Sequence, residues 1–130
     1  MTMELVYCVH GGRRAAAEFG RAAWGDEAVV PEQTAGVSAL AHMTRLRAGE
    51  LSVTAFSGTI TEVITDPNGM SWVTVARTDG EEDEIPAFGG VELYRAGRRL
   101  TVREINTAAP SDRLPSYLVI EVWLDRPPSE

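Results

Sequence analysis

From Leu51 to Leu124 the chain is interrupted about every ten residues by turn-forming pairs: Ser57-Gly58, Asn68-Gly69, Asp79-Gly80, Gly89-Gly90 and Ala96-Gly97. Parallel strand pairs need crossovers of about a dozen or more residues, usually helical, and these intervals leave no room for them. The segment is therefore restricted to antiparallel hairpins. Its residues agree, because Thr and Val are frequent and no helical period runs through them. Strands are expected at 51–56, 59–65, 71–77, 81–85, 91–95 and 100–105. Asp66-Pro67-Asn68-Gly69 is the strongest turn, since proline presets one φ and Asn-Gly tolerates positive φ. The last strand, 117–124, carries Leu118, Ile120, Val122 and Leu124 on one face and Tyr117, Val119, Glu121 and Trp123 on the other. That apolar content marks it as a central core strand.

The first 49 residues read differently. Met3 to His10 alternates as a short strand ended by Gly11-Gly12. Arg13 to Trp24 puts Ala15, Ala16, Phe19, Ala22 and Ala23 on one helical stripe, and alanine is the best helix former. Val29-Val30-Pro31 breaks into an extended loop, and 37–49 fits either helix or the start of a strand. The expected fold is α+β and β-rich: a small antiparallel β-barrel or sandwich with an N-terminal helix packed against it. At 130 residues it forms one domain over 1–126, with 127–130 as a frayed tail.

Composition narrows the function classes. No apolar run approaches the roughly 18 residues of a membrane span, and the acidic start Met1-Thr-Met-Glu-Leu5 is unlike a secretory signal. Cys8 is the one cysteine, so neither an internal disulfide nor a thiolate zinc cage is available, and a cytoplasmic location is expected. A net charge of −7 disfavours nucleic acid and anionic membranes as partners. The basic residues are all arginine, which with abundant Ala, Gly and Val points to a GC-rich bacterial or phage genome.

Cys8-Val-His-Gly-Gly-Arg-Arg14 has Cys-x5-Arg spacing between a predicted strand and a predicted helix. It resembles the loop of cysteine-dependent phosphatases, and the following Ala-Ala-Ala-Glu is loosely similar to the first helix of low-molecular-weight phosphatases and arsenate reductases. The resemblance implies a Cys8 thiolate nucleophile, with Gly11, Gly12 and Arg14 cradling phosphate oxygens. It also implies a parallel α/β sheet and an aspartate acid. The antiparallel pattern after Leu51 departs from the first, and Asp66-Pro67 reads as a hairpin turn rather than the second. Without catalysis, Gly11, Gly12, Arg13 and Arg14 would still suit an anion at a helix N-terminus.

Asp79-Gly-Glu81-Glu82-Asp83-Glu84 packs five carboxylates into six residues. It lacks the alternation of a calcium loop, and serves either as a solvated guard on an edge strand or as a docking site for a basic protein. Arg95-Ala-Gly-Arg98-Arg99 is a basic turn that makes the charge distribution bipolar. His10 and His42 have no metal-ligand spacing, and no nucleophile elbow, Walker loop or dinucleotide fingerprint occurs. No metal and no cofactor are expected. The reading is a protein-binding adaptor, inhibitor or assembly module using Asp79, Glu81, Glu82, Asp83 and Glu84. A thiol phosphatase or anion-binding domain built on Cys8 and Arg14 is the alternative.

Overall fold

A computed structural model describes residues 2–9, 13–32, 34, 44–45, 48–106 and 117–126. Among the described residues the strands are β1 (Met3–Cys8), β2 (Ala28–Val29), β3 (Val53–Thr65), β4 (Ser71–Arg77), β5 (Glu82–Pro86), β6 (Arg99–Asn106) and β7 (Tyr117–Asp125), with the α-helix α1 (Arg13–Trp24). They form one seven-stranded sheet in the order β2-β1-β7-β6-β3-β4-β5. All neighbours are antiparallel except β1 and β2, so the sheet is mixed.

The expected α+β, β-rich class holds, and the closed barrel and the sandwich do not. Among the described residues the sheet has two free ends, β2 and β5, with no ladder between them. It nevertheless coils strongly. Register shifts at Leu5/Tyr7, Ile60/Glu62 and Arg103/Glu104 mark bulges, which bend a strand and sharpen its twist. The coil brings Tyr7 of β1 against Phe88, just past β5, with ring centroids 4.4 Å apart. Side chains close what backbone hydrogen bonds leave open. Inside lie Phe56, Ile60, Val73, Val75, Ile85, Leu100, Val102, Val122 and Leu124.

The helix covers the outer face of β1 and β7. Ala16 and Gly20 are buried beneath it, and Phe19 and Trp24 pack on Trp123. A Cβ on Gly20 would sit 2.5 Å from the Trp123 indole, so only glycine lets the helix backbone rest there. Val9, Leu51, Ile105 and Ile120 form a third cluster.

Three local expectations change. Ser57-Gly58 is not a turn: β3 runs straight through it for thirteen residues. Gly58 is needed for close approach, because a Cβ there would run into the Ala76 carbonyl oxygen. Residues 91–95 do not pair; Val91–Leu93 is a single 3₁₀ turn. Val29 belongs to a short strand parallel to β1 rather than to a loop. In β7 the simple alternation slips at a bulge that leaves Ile120 without a partner in β6, so Val119 joins Val122 and Leu124 in the inner core while Ile120 faces the third cluster. The expectations for 37–43, for the loop 107–116 and for the tail 127–130 lie outside the described residues.

Candidate functional site

The β4–β5 hairpin sorts its carboxylates by which side of the sheet each faces. Arg77 ends β4 on the inner face, where its guanidinium lies over the Phe56 ring at 4.6 Å. Its Nη2 donates to Asp79 Oδ2 at 2.7 Å, and its Nη1 lies 3.5 Å from Asp83 Oδ2. Asp79 also accepts the Glu81 N–H at 3.0 Å. That N–H, with Arg77, holds the Asp79 carboxyl below the usual aspartate range. Two of the five residues singled out by sequence, Asp79 and Asp83, are thus committed to shaping their own turn.

Glu81, Glu82 and Glu84 are exposed and have no ion pair among the described residues. Register places Glu82 beside Ala76 and Glu84 beside Thr74, both on the outer face, and the β3 bulge sets Glu62 beside Thr74 on the same face. Sequence reasoning missed Glu62, because only the bulge position brings it into line with the hairpin. The outer face of β3–β5 therefore carries Glu62, Glu82 and Glu84 around the uncharged Thr59, Thr74 and Ala76.

Backbone recognition along this edge is suppressed. The Ala87 N–H donates to Ser71 and the Arg77 N–H to Glu81, so alternation turns the backbone groups of residues 82, 84 and 86 outward. Pro86 has no N–H, and the Glu84 N–H is taken by Asp83 Oδ1 at 2.8 Å. Such an edge resists strand addition, leaving side-chain charge as its chemistry.

The thiol site has neither prerequisite of a nucleophile. Cys8 is only 6% exposed, and burial, followed by the charge of Glu121 beside it, pushes its thiol up while Arg13 opposes more weakly. Arg14 projects into solvent, 3.6 Å from Glu18 one turn on, and Arg13 donates to the Glu32 carbonyl oxygen at 2.6 Å. Both guanidiniums so point elsewhere than to an anion beside Cys8. Gly11 and Gly12, like His10 and His42, lie outside the described residues.

Two further features were not legible from sequence. Beneath α1, Arg103 and Glu121 face each other across β6 and β7, with Nη1 2.5 Å from Oε2. Trp123 Nε1 donates to Glu121 Oε1 at 3.1 Å, and the Arg103 guanidinium lies 4.3 Å from the centre of the Phe19 ring. Burial is the largest influence on Glu121 and raises its pKa against the pull of Arg103. The second feature is an open groove of about 470 Å³ between α1 and β3, walled by Phe19, Ala23 and Trp24 and floored by Ser57 and Thr101. The two hydroxyls of the floor are hydrogen-bonded to each other at 2.6 Å. A smaller extension of about 280 Å³ reaches Arg99. Among the described residues there is no group of three potential metal ligands, and no helix is long and apolar enough to cross a membrane.

No protein-family model matches this chain, and no curated protein matches it in sequence.

Proposed function

We propose that this chain is a small non-catalytic protein-binding module, of adaptor, inhibitor or assembly type, whose outer face of β3–β5 receives a protein surface that carries basic groups. The observation that carries the reading is the division of the hairpin carboxylates. Asp79 and Asp83 are spent on Arg77, whereas Glu62, Glu82 and Glu84 share the outer face and, with Glu81 of the adjoining turn, remain solvent-facing and unpaired among the described residues. Like charges gathered on one face focus potential, steer an oppositely charged partner and make association sensitive to salt. A cytoplasmic setting in a bacterial or phage-infected cell suits a chain whose one cysteine is a buried thiol.

The test reverses Glu81, Glu82 and Glu84 to arginine together, leaving Asp79 and Asp83 in place so that the turn keeps its Arg77 contacts. A stoichiometric partner captured from extract of the source cell by the native chain is expected to be lost by this variant. The thermal midpoint should hardly move, because exposed charges contribute little to folding. Capture that is unchanged in the triple variant overturns the proposal.

A further inference from the structure

One register row crosses four strands on the outer face: Arg99 of β6 pairs with Thr59 of β3, Thr59 with Ala76 of β4, and Ala76 with Glu82 of β5. Directly opposed residues of antiparallel strands share a face, so these four side chains stand in a line. All four are exposed, and neither Arg99 nor Glu82 has an ion pair among the described residues. Three strand spacings of about 4.8 Å separate the ends, so a cation and an anion stand about 14 Å apart with a small hydroxyl and a methyl between them.

A line with opposite charges at its ends matches itself when turned through 180°. From this row we infer that the partner on this face is a second copy of the chain, docked face to face about a two-fold axis that lies between the copies, parallel to the strands and midway between Thr59 and Ala76. The inference rests on the reading of the face as protein-binding and names its occupant. Under that axis Arg99 of each copy meets Glu82 of the other, which is the reciprocity an isologous contact requires. A partner that is basic throughout satisfies Glu82 and Glu84 but is repelled at Arg99, whereas a second copy brings both signs.

The relief of the face fits the same arrangement. This side of the coiled sheet is convex, so two copies touch first along the middle, where Thr59 and Ala76 permit close approach. The long Arg99 and Glu82 side chains span the gap that widens on either side. In each copy α1 stands on β1 and β7 of the same face and bounds the groove floored by Ser57 and Thr101. The axis carries the thin β4–β5 hairpin of one copy over β6 of the other, beside that groove. The suppressed donors of β5 also fit, because face-to-face docking needs no strand addition.

Four strand widths by seven residues of strand bound the contact at roughly 450 Å² per copy, which is the size of a weak, reversible interface rather than an obligate one. The expected dimer therefore has a micromolar Kd, about 1–100 μM, and dissociates further as salt rises.

Sedimentation velocity of the native chain at about 200 μM in low salt is the first measurement, a concentration that populates such a dimer. Arg99→Glu and Glu82→Arg each convert two attractive contacts into two repulsive ones, and each alone is expected to weaken self-association at least about tenfold. When the two variants are mixed in equal amounts, the glutamate introduced in the first faces the arginine introduced in the second. The native Glu82 of the first then faces the native Arg99 of the second, so a heterodimer should reappear. Restoration by mixing also shows that both variants are folded. A native chain that is monomeric under these conditions overturns the inference, as does a dimer that survives either single reversal. If the native chain is monomeric while the Glu81/Glu82/Glu84 reversal still loses a captured partner, the self-docking fails and the binding reading stands.

Discussion

Replacing Arg103 by methionine isolates the Glu121 carboxylate under α1. The Glu121 side chain is only 3% exposed, so the freed charge has almost no water to turn to, and its remaining donor is Trp123 Nε1. Removing one partner of a buried ion pair costs about 3–5 kcal/mol. Protonation sets a ceiling on the electrostatic part, because the stranded carboxylate can always take up a proton. From its ordinary value of 4.5, doing so at pH 7 costs about 3.4 kcal/mol, at 1.36 kcal/mol for each pH unit. Loss of the stacked guanidinium over Phe19 adds about 0.5–1 kcal/mol. Arg103→Met is therefore expected to lose up to about 4 kcal/mol at pH 7, a large share of the 5–15 kcal/mol typical of a domain.

The pH dependence gives the sharper test. A carboxyl whose folded pKa is raised binds its proton more tightly in the native state than in the unfolded chain. Its favourable contribution is complete below the unfolded value near 4.5 and is lost as pH rises through the folded value. At pH 5 the protonation ceiling falls to about 0.7 kcal/mol, so the deficit of the variant should shrink to about 1–2 kcal/mol. The double variant Arg103→Met/Glu121→Leu removes both charges and should recover all but about 1 kcal/mol, the residue being the Trp123 N–H left without an acceptor. Urea unfolding at pH 7 and pH 5, followed by tryptophan fluorescence, measures each value. A single variant within about 1 kcal/mol of native at pH 7, or a deficit that does not change between the two pH values, refutes the reasoning.

Two further outcomes follow from the packing. Gly58→Ala should cost about 1–3 kcal/mol or more by chemical denaturation, since its Cβ meets backbone of β4 rather than a movable side chain; a neutral effect would mean that β3 has a turn there after all. Cys8 should react with a thiol reagent only as fast as the β1 region opens, with rapid labelling in mild denaturant; fast native-state labelling would restore the nucleophile reading.

Legibility from sequence followed how local each cause was. The helix 13–24 and the Asp66–Gly69 hairpin rest on contacts within a few residues, and both were readable. Asp66 Oδ1 accepts the N–H groups of Asn68 and Met70 at 2.9 and 3.0 Å, a turn made almost entirely within residues 66–70. Gly58 misleads because the reason for its glycine lies on β4, eighteen residues away along the chain, and a glycine without a side chain looks the same in a turn as under a crossing strand. The open sheet was unreadable because closure depends on where β2 and β5 end up after the bulges have bent the strands between them. The candidate face was half legible. The acidic cluster stood out, but its division into Arg77-bound and free carboxylates needs strand alternation, and Glu62 and Arg99 join it only through register. Arg103 and Glu121 are direct cross-strand neighbours eighteen residues apart, invisible until β6 and β7 are aligned.

The pairing of β1 with β7 has a bearing on how the molecule is made. Met3 lies opposite Asp125, and the Arg126 N–H donates to the Thr2 carbonyl oxygen at 2.8 Å, so the first strand of the sheet finds its partner in the seventh, after all the strands between them have been made. The hairpins of β3, β4 and β5 can assemble during translation, whereas β1, with its apolar Leu5 and Tyr7, must wait until β7 has emerged. Pairing across nearly the full length is slow because the loop must close before the contact repays it. During that interval β1 is the strand most exposed to chaperones and to aggregation.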